Sequence, residues 1–245
     1  VYVLLIDAGN TRLKWRLVKQ GLASRKSEGV FSGAPTQELL SSWPSIGEVQ
    51  QVLVASVIEQ PILQQMLENK YSKKTTTKLS WLHHPLESSE HFKHCYKHPE
   101  RLGVDRWLAM LGARTHSQQE LLVIDAGTAL TVDLMNTNNE HLGGYIVPGV
   151  QMAQEALFNN TAKIKPFADD LKTGHIAPGQ DTYSCVLAGI QRQRLALVQS
   201  VLADYPLYLP FVCGGDGQWL AQQLNLHYYN NLVLDGMESL CVGSL

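Results

Sequence analysis

The sequence has little charge, no excess of either sign and no long apolar run. Lys and Arg number 20 against 22 Asp and Glu, a formal net charge of −2. That leaves no basic footprint for nucleic acid or for an anionic membrane surface. Charged residues make up 17 % and hydrophobic residues 44 %, which excludes extensive disorder and implies a packed core. No apolar stretch approaches the roughly 20 residues that span a bilayer. Val1 to Ile6 meets Asp7 too soon for a signal-peptide core. Cys95, Cys185, Cys213 and Cys241 are scattered without paired spacing, as reduced thiols are, and form no disulfide framework. The expectation is a soluble, cytoplasmic protein acting on small molecules, with no nucleic-acid or membrane partner. Its 245 residues suffice for one large domain or two smaller ones.

What is present is an internal repeat. Leu4-Leu5-Ile6-Asp7-Ala8-Gly9-Asn10-Thr11 near the start is echoed by Leu122-Val123-Ile124-Asp125-Ala126-Gly127-Thr128-Ala129 halfway along. Each copy reads as a buried strand, a tight glycine turn and a second strand. In the first copy Leu13, Trp15 and Leu17 alternate with Lys14 and Arg16, the period of a half-buried strand. Each half continues with a strand and a helix: 51–57 then 61–71, and 142–147 then 150–158. Later come a helix over 181–202, a strand at 211–213, a helix over 218–224 and a strand near 232–234. Strands alternating with helices imply α/β architecture, with mixed sheets flanked by helices. Gly103 to His116 reads as a helix bridging the halves, so the boundary falls there: domains 1–114 and 115–245. Lys70 to Lys78 reads as a polar, threonine-rich loop.

An Asp-x-Gly turn between two strands suits polyphosphate. Glycine lets backbone N–H groups approach phosphate oxygens. The aspartate at the strand end can hold Mg²⁺, directly or through water. Asn10, Thr11 and Thr128 add donors, and Lys14 adds a charge. A single copy is equally well read as a plain hairpin, because Asp and Gly are common turn residues. Two copies, one per half, favour a phosphate clamp. Cys213-Gly214-Gly215-Asp216-Gly217, between a short strand and a helix, is where a glycine-rich turn can lie against an adenosine, although such turns also simply reverse the chain.

Together these three elements resemble the phosphate-1, phosphate-2 and adenosine motifs of the actin-like superfamily. That resemblance implies two RNase H-like (actin-like ATPase) domains with a cleft between them, closing over ATP. Gly103-Val104-Asp105-Arg106 narrows it, and the chain resembles the type III pantothenate kinases. Their Asp-x-Gly-Asn-Thr and following lysine are matched by Asp7, Gly9, Asn10, Thr11 and Lys14, and their Gly-x-Asp-Arg by Gly103, Asp105 and Arg106. Asp125, Gly127, Thr128 and Ala129 match Asp-x-Gly-Thr-Ala. Gly143, Gly144, Ile146, Pro148 and Gly149 match Gly-Gly-x-Ile-x-Pro-Gly.

The resemblance implies ATP-dependent phosphorylation of pantothenate at the entry to coenzyme A biosynthesis. It makes Asp105 the catalytic base and places pantothenate against Tyr96, Gly103, Val104, Asp105, Arg106 and a threonine. Thr182 is that threonine, with Thr161 and Thr173 as rivals. ATP falls to Asp7, Ala8, Gly9, Asn10, Thr11, Arg12, Leu13 and Lys14, and to Thr128. Asp125 is implied to bind a monovalent cation, K⁺ or NH₄⁺, and Asp7 the Mg²⁺ that accompanies ATP. A homodimer is implied as well. The residues themselves support this chemistry. Asp105 opens a helix, where the dipole favours its ionised form, and Arg106 offers a planar fork for a carboxylate. The alternative is that Asp105 only caps the helix or pairs with Arg106. His91, His94, Cys95 and His98 have a spacing that could place them on one helix face for zinc, but Pro99 follows at once, and mobile surface histidines are the better reading. The rival functions are another actin-like phosphotransferase, or a non-catalytic nucleotide-binding regulatory protein.

Overall fold

In the computed structural model each half of the repeat becomes one mixed β-sheet. The structure describes residues 2–9, 12–19, 25–32, 39, 41, 43, 49–72, 77–85, 92–167 and 176–242. Two compact units result: residues 1–118 with 137–141 and 231–245, and residues 119–136 with 142–230.

The first unit is built on β1 (Tyr2–Ala8), β2 (Arg12–Lys19), β3 (Arg25–Ser32), β4 (Val49–Ser56) and β5 (Lys78–Leu82), in the order β3-β2-β1-β4-β5. β1 pairs antiparallel with β2 and parallel with β4. As the central strand it is apolar on both faces. Leu4, Ile6 and Ala8 join a core with Leu13, Trp15, Val52 and Val54. Val3 and Leu5 alternate to the other face and are equally buried. Helix α1 (Pro61–Leu67), with proline in its first turn, covers the first face through Leu63 and Leu67. A wider helical turn, Glu68–Ser72, extends it and brings Tyr71 into the same core. The stretch expected as a loop over 70–78 is therefore helical at its start and strand at its end, and 73–76 lie outside the described residues.

Helix α2 (Val104–His116) belongs to this unit, as does the last helix, α6 (Leu232–Val242), which packs along it. Residues 232–234 were expected as a strand, and α6 corrects that. The reason is tertiary. Gly112 and Gly236 let the two backbones touch: a Cβ on either would lie 2.0 Å from a carbonyl oxygen of the other helix. Leu232, Leu234 and Met237 are buried, while Asp235 and Glu238 turn to Arg16.

The second unit holds β7 (Leu121–Ala126), β8 (Ala129–Met135), most of β9 (Glu140–Pro148) and β10 (Leu209–Cys213), in the order β10-β7-β8-β9. β7 repeats the arrangement of β1, antiparallel to β8 and parallel to β10. Its helices are α3 (Val150–Asn160), α4 (Thr182–Asp204) and α5 (Gly217–Leu224). Leu195, Val198 and Val201 of α4 and Leu220 and Ala221 of α5 share a core with Leu122, Ile124, Val132 and Val212. A short strand, β6 (Lys93–His94), pairs with Glu140 and His141 at the start of β9 within the first unit. Among the described residues no helix is long and apolar enough to cross a membrane.

Candidate active site

Both Asp-x-Gly motifs close strand-to-strand turns. In the first, Asp7, one residue before the end of β1, is half-buried and pairs across the ladder with Lys14. The Gly9 N–H donates to the Arg12 carbonyl at 3.0 Å. Ala8 is buried, Arg12 exposed and Leu13 in the core; Asn10 and Thr11 lie outside the described residues. Ser56, at the end of β4, donates to the Ala8 carbonyl at 3.2 Å and steadies the strand end from the side. Sequence reading missed this serine, and its only signal was its place at a strand end beside β1.

In the second turn, Asp125 ends β7 half-buried and the Gly127 N–H donates to the Ala129 carbonyl at 2.9 Å. Thr128 stands exposed at the tip, and its carbonyl accepts from the Gly149 N–H at 2.9 Å. A Cβ on Gly149 would lie 2.4 Å from the Gly127 oxygen, so the Pro148-Gly149 turn can sit against this loop only as glycine. Gly214 closes the other side. Its φ is +92°, and a Cβ there would meet Asp125 Oδ1 at 2.3 Å. The Asp216 N–H donates to the Ala126 carbonyl at 2.8 Å. The second phosphate turn, the Pro-Gly turn and the glycine-rich turn are thus one assembly.

The Gly-x-Asp-Arg segment forms the start of α2. Gly103 is its N-cap and Val104 is buried beneath. Asp105 lies in the first turn, with Oδ1 accepting from the Arg106 N–H at 2.8 Å. A Cβ on residue 103 would lie 2.7 Å from that oxygen, so the glycine makes room for the carboxylate to fold over the helix end. Arg106 is buried, and its Nη1 donates to the Tyr96 hydroxyl at 2.9 Å. Two residues expected to share one substrate are therefore in contact. Tyr96 is itself held: its ring stacks on buried His141 at 5.9 Å, and its backbone carbonyl lies 3.1 Å from His94 Nδ1. His141 was not anticipated; it lies just ahead of the Gly143-Gly144 pair. His94 is in a strand, Cys95 Sγ is 3.8 Å from His141 Nδ1, His98 pairs with Glu100 at 3.3 Å, and His91 lies outside the described residues. His94, Cys95 and His98 thus share no helix face.

Thr182 is the first residue of α4, behind a capping box in which the Asp181 carboxylate accepts from the Ser184 N–H at 2.7 Å. Among the described residues its hydroxyl has no hydrogen-bond partner. The Thr161 hydroxyl is committed to the Leu157 carbonyl at 2.9 Å, and Thr173 lies outside the described residues.

The chain matches solved structures along nearly its whole length. A Baf family protein of Campylobacter jejuni aligns at a TM-score of 0.58 and 22 % identity, covering 96 % of each chain. Component A of (R)-2-hydroxyglutaryl-CoA dehydratase from Acidaminococcus fermentans aligns at 0.53 and 15 %, covering 96 % of this chain and 94 % of that one. These likenesses establish the fold, that of the actin-like ATPases. Sequence comparison is more specific. A type III pantothenate kinase of Marinobacter nauticus is 35 % identical over 242 residues, 96 % of both chains. One from Idiomarina loihiensis is 31 % identical over 264 aligned positions, 99 % of both. The family model for type III pantothenate kinase matches residues 3–204. The chain belongs to the type III pantothenate kinase family.

Proposed function

We propose the residue roles by which this chain carries out the reaction of its family, ATP-dependent phosphorylation of pantothenate in coenzyme A biosynthesis. The observation that carries the assignment is the contact between Arg106 and Tyr96 beside Asp105 at the head of α2. Arg106 pairs with the pantothenate carboxylate, with Tyr96, Gly103 and Val104 shaping the pocket. Asp105 accepts the proton of the primary hydroxyl as that oxygen attacks the γ-phosphorus of ATP, and ADP leaves. The segment Asp7–Lys14 and Thr128 bind the triphosphate, and the turn Cys213–Gly217 lies against the nucleoside. The free hydroxyl of Thr182 favours it over Thr161 as the pantothenate contact.

The cation assignments rest on donor chemistry. Beside Gly214 the Asp125 carboxylate and the Ala126 carbonyl lie together, two oxygen donors and no nitrogen or sulfur. Such donors suit K⁺ or NH₄⁺, and the carboxylate of Asp7 suits Mg²⁺. When bound, these cations neutralise charge on the transferring phosphoryl group. We assign residues 1–114 and 115–245 to two lobes. Helix α3 has no buried residue, and Tyr145, Ile146 and Met152 are exposed near it; a second copy of the chain covers this face in a homodimer. The enzyme works in the cytoplasm.

The test is kinetic. Asp105→Asn keeps shape but cannot take the proton, so kcat falls by about 10²–10⁴ with ATP binding unchanged. Arg106→Ala raises the pantothenate KM by about tenfold or more, the loss of hydrogen bonds to a charged group. Near-normal turnover in Asp105→Asn would leave that aspartate as a helix cap.

A further inference from the structure

The second unit carries a charged group for which folding alone has no use. Arg194, on α4, is 1 % exposed and lies among Leu195, Val198 and Val201. Burial draws its pKa down, and Asp216 draws it partly back. Its Nη1 donates to the Gln191 side chain at 3.0 Å, its Nε and Nη2 have no hydrogen-bond partner among the described residues, and Nη2 lies at ion-pair distance, 3.4 Å, from Asp216 Oδ2. An apolar side chain of similar volume would stabilise the core at least as well.

Asp216 is the acidic residue of the glycine-rich turn, and its backbone is fixed. Its N–H is on the Ala126 carbonyl and its carbonyl accepts from Leu220 N–H at 3.2 Å. The turn is pinned again where the Tyr228 hydroxyl donates to the Gly214 carbonyl at 3.1 Å. Asp216 stands at the N-cap of α5, yet its side chain makes no capping bond. It faces Arg194 instead and remains 46 % exposed. A carboxylate has about four acceptor sites, and the arginine approaches one oxygen as a charge without hydrogen-bonding to it. The open edge matches two adjacent hydroxyl donors. An unneutralised carboxylate would also repel a polyphosphate, and the guanidinium beneath offsets that repulsion.

We infer that Arg194 is a positioning residue, holding Asp216 so that its carboxylate accepts hydrogen bonds from the ribose hydroxyls of ATP. This rests on the reading that the turn Cys213–Gly217 lies against the nucleoside.

The experiment compares ATP with 2′,3′-dideoxy-ATP, by calorimetric Kd and by KM, in wild type, Arg194→Met, Asp216→Asn and the double variant. Wild type prefers ATP by about tenfold or more, the value of hydrogen bonds to a charged acceptor. Each single variant loses most of that preference, the double variant loses no more than either, and the pantothenate KM stays unchanged. Should Arg194→Met fail to fold, Arg194→Lys, which keeps the charge without the planar fork, carries the test and loses part of the preference. Hydrogen exchange separates the two levels of the argument. If ATP leaves the amides of residues 213–218 unprotected in wild type, the nucleoside reading itself fails. If they are protected but both single variants keep the full ribose preference, the inference about Arg194 and Asp216 is overturned alone.

Discussion

The two Asp-Ala-Gly turns share a sequence but not a support. In the first, the last paired residues are Ala8 and Leu13, leaving positions 9–12 in the turn. In the second they are Ala126 and Leu130, leaving only 127–129. Among the described residues, the only atom near a would-be Cβ on Gly9 is the Arg12 oxygen at 3.2 Å. The second turn is wedged between two glycines whose Cβ atoms would approach it to 2.4 Å and 2.3 Å. Among the described residues the first turn is held by strand pairing and by the Ser56 hydroxyl on the Ala8 carbonyl. The second is held by neighbouring backbone and is preorganised for whatever it binds.

The largest effect that can break this comparison concerns the aspartates. Asp125→Ala removes the carboxylate of the wedged turn. Turnover falls by about 10²–10³ and stimulation by K⁺ or NH₄⁺ disappears. Asp7→Ala also lowers turnover but keeps the monovalent response, and its Mg²⁺ requirement shifts to higher concentration. Rates measured in Na⁺, K⁺ and NH₄⁺ buffers over a Mg²⁺ series decide the matter. Equal stimulation of both variants by K⁺ would show that the two turns do not divide the cations between them.

Local pattern carried most of this architecture. The repeat is legible because a buried central strand must be apolar on both faces, so Leu4-Leu5-Ile6 and Leu122-Val123-Ile124 stand out. The turns are legible because the same Asp-Ala-Gly follows each apolar run. What escaped was set by distant partners. Leu232-Val233-Leu234 is as apolar as a strand, and only the close crossing of Gly112 and Gly236 makes it a helix. β3, Arg25–Ser32, has an ordinary polar sequence and gains its identity from pairing with β2. His141, Arg194 and Ser56 gave no motif, since each acts on a residue far away in sequence.

A second prediction concerns what stiffens the strand after the first turn. Arg16 of β2 is fully buried, with Nε on Glu28 at 2.5 Å and Nη1 on Asp235 and Glu238 at 2.7 Å each. Burial lowers its pKa, but Asp235, Glu28 and Glu238 outweigh this and leave it raised, so the cation persists. Arg16→Met removes the guanidinium that three carboxylates share, leaving Asp235 with His116 and Glu28 with the Asn231 amide. The cost is about 3 kcal/mol, at the low end for a broken buried pair because the acids keep some solvent access. Urea denaturation measures it. A loss well below 1 kcal/mol would mean that this buried ion cluster does not brace the strand.

The smallest effect sharpens the contrast by adding one methyl group against the second turn, at Gly149, and one within the first, at Gly9. Gly149→Ala puts a methyl group within 2.4 Å of the Gly127 oxygen and 2.5 Å of the Thr128 oxygen. Its backbone, at φ −69° and ψ 177°, suits any residue, so steric overlap is the only penalty. The loop tip must move, at about 1–3 kcal/mol as for other overpacking changes. Because Thr128 sits at that tip, the ATP KM rises as well. At Gly9 the added methyl meets, among the described residues, the Arg12 oxygen at 3.2 Å, a contact relieved by a shift of a few tenths of an ångström. Gly9→Ala therefore costs under about 1 kcal/mol, partly offset by the reduced freedom of the unfolded chain. Urea denaturation and ATP KM for the two variants give both numbers. Equal penalties would show that the first turn is as tightly enclosed as the second.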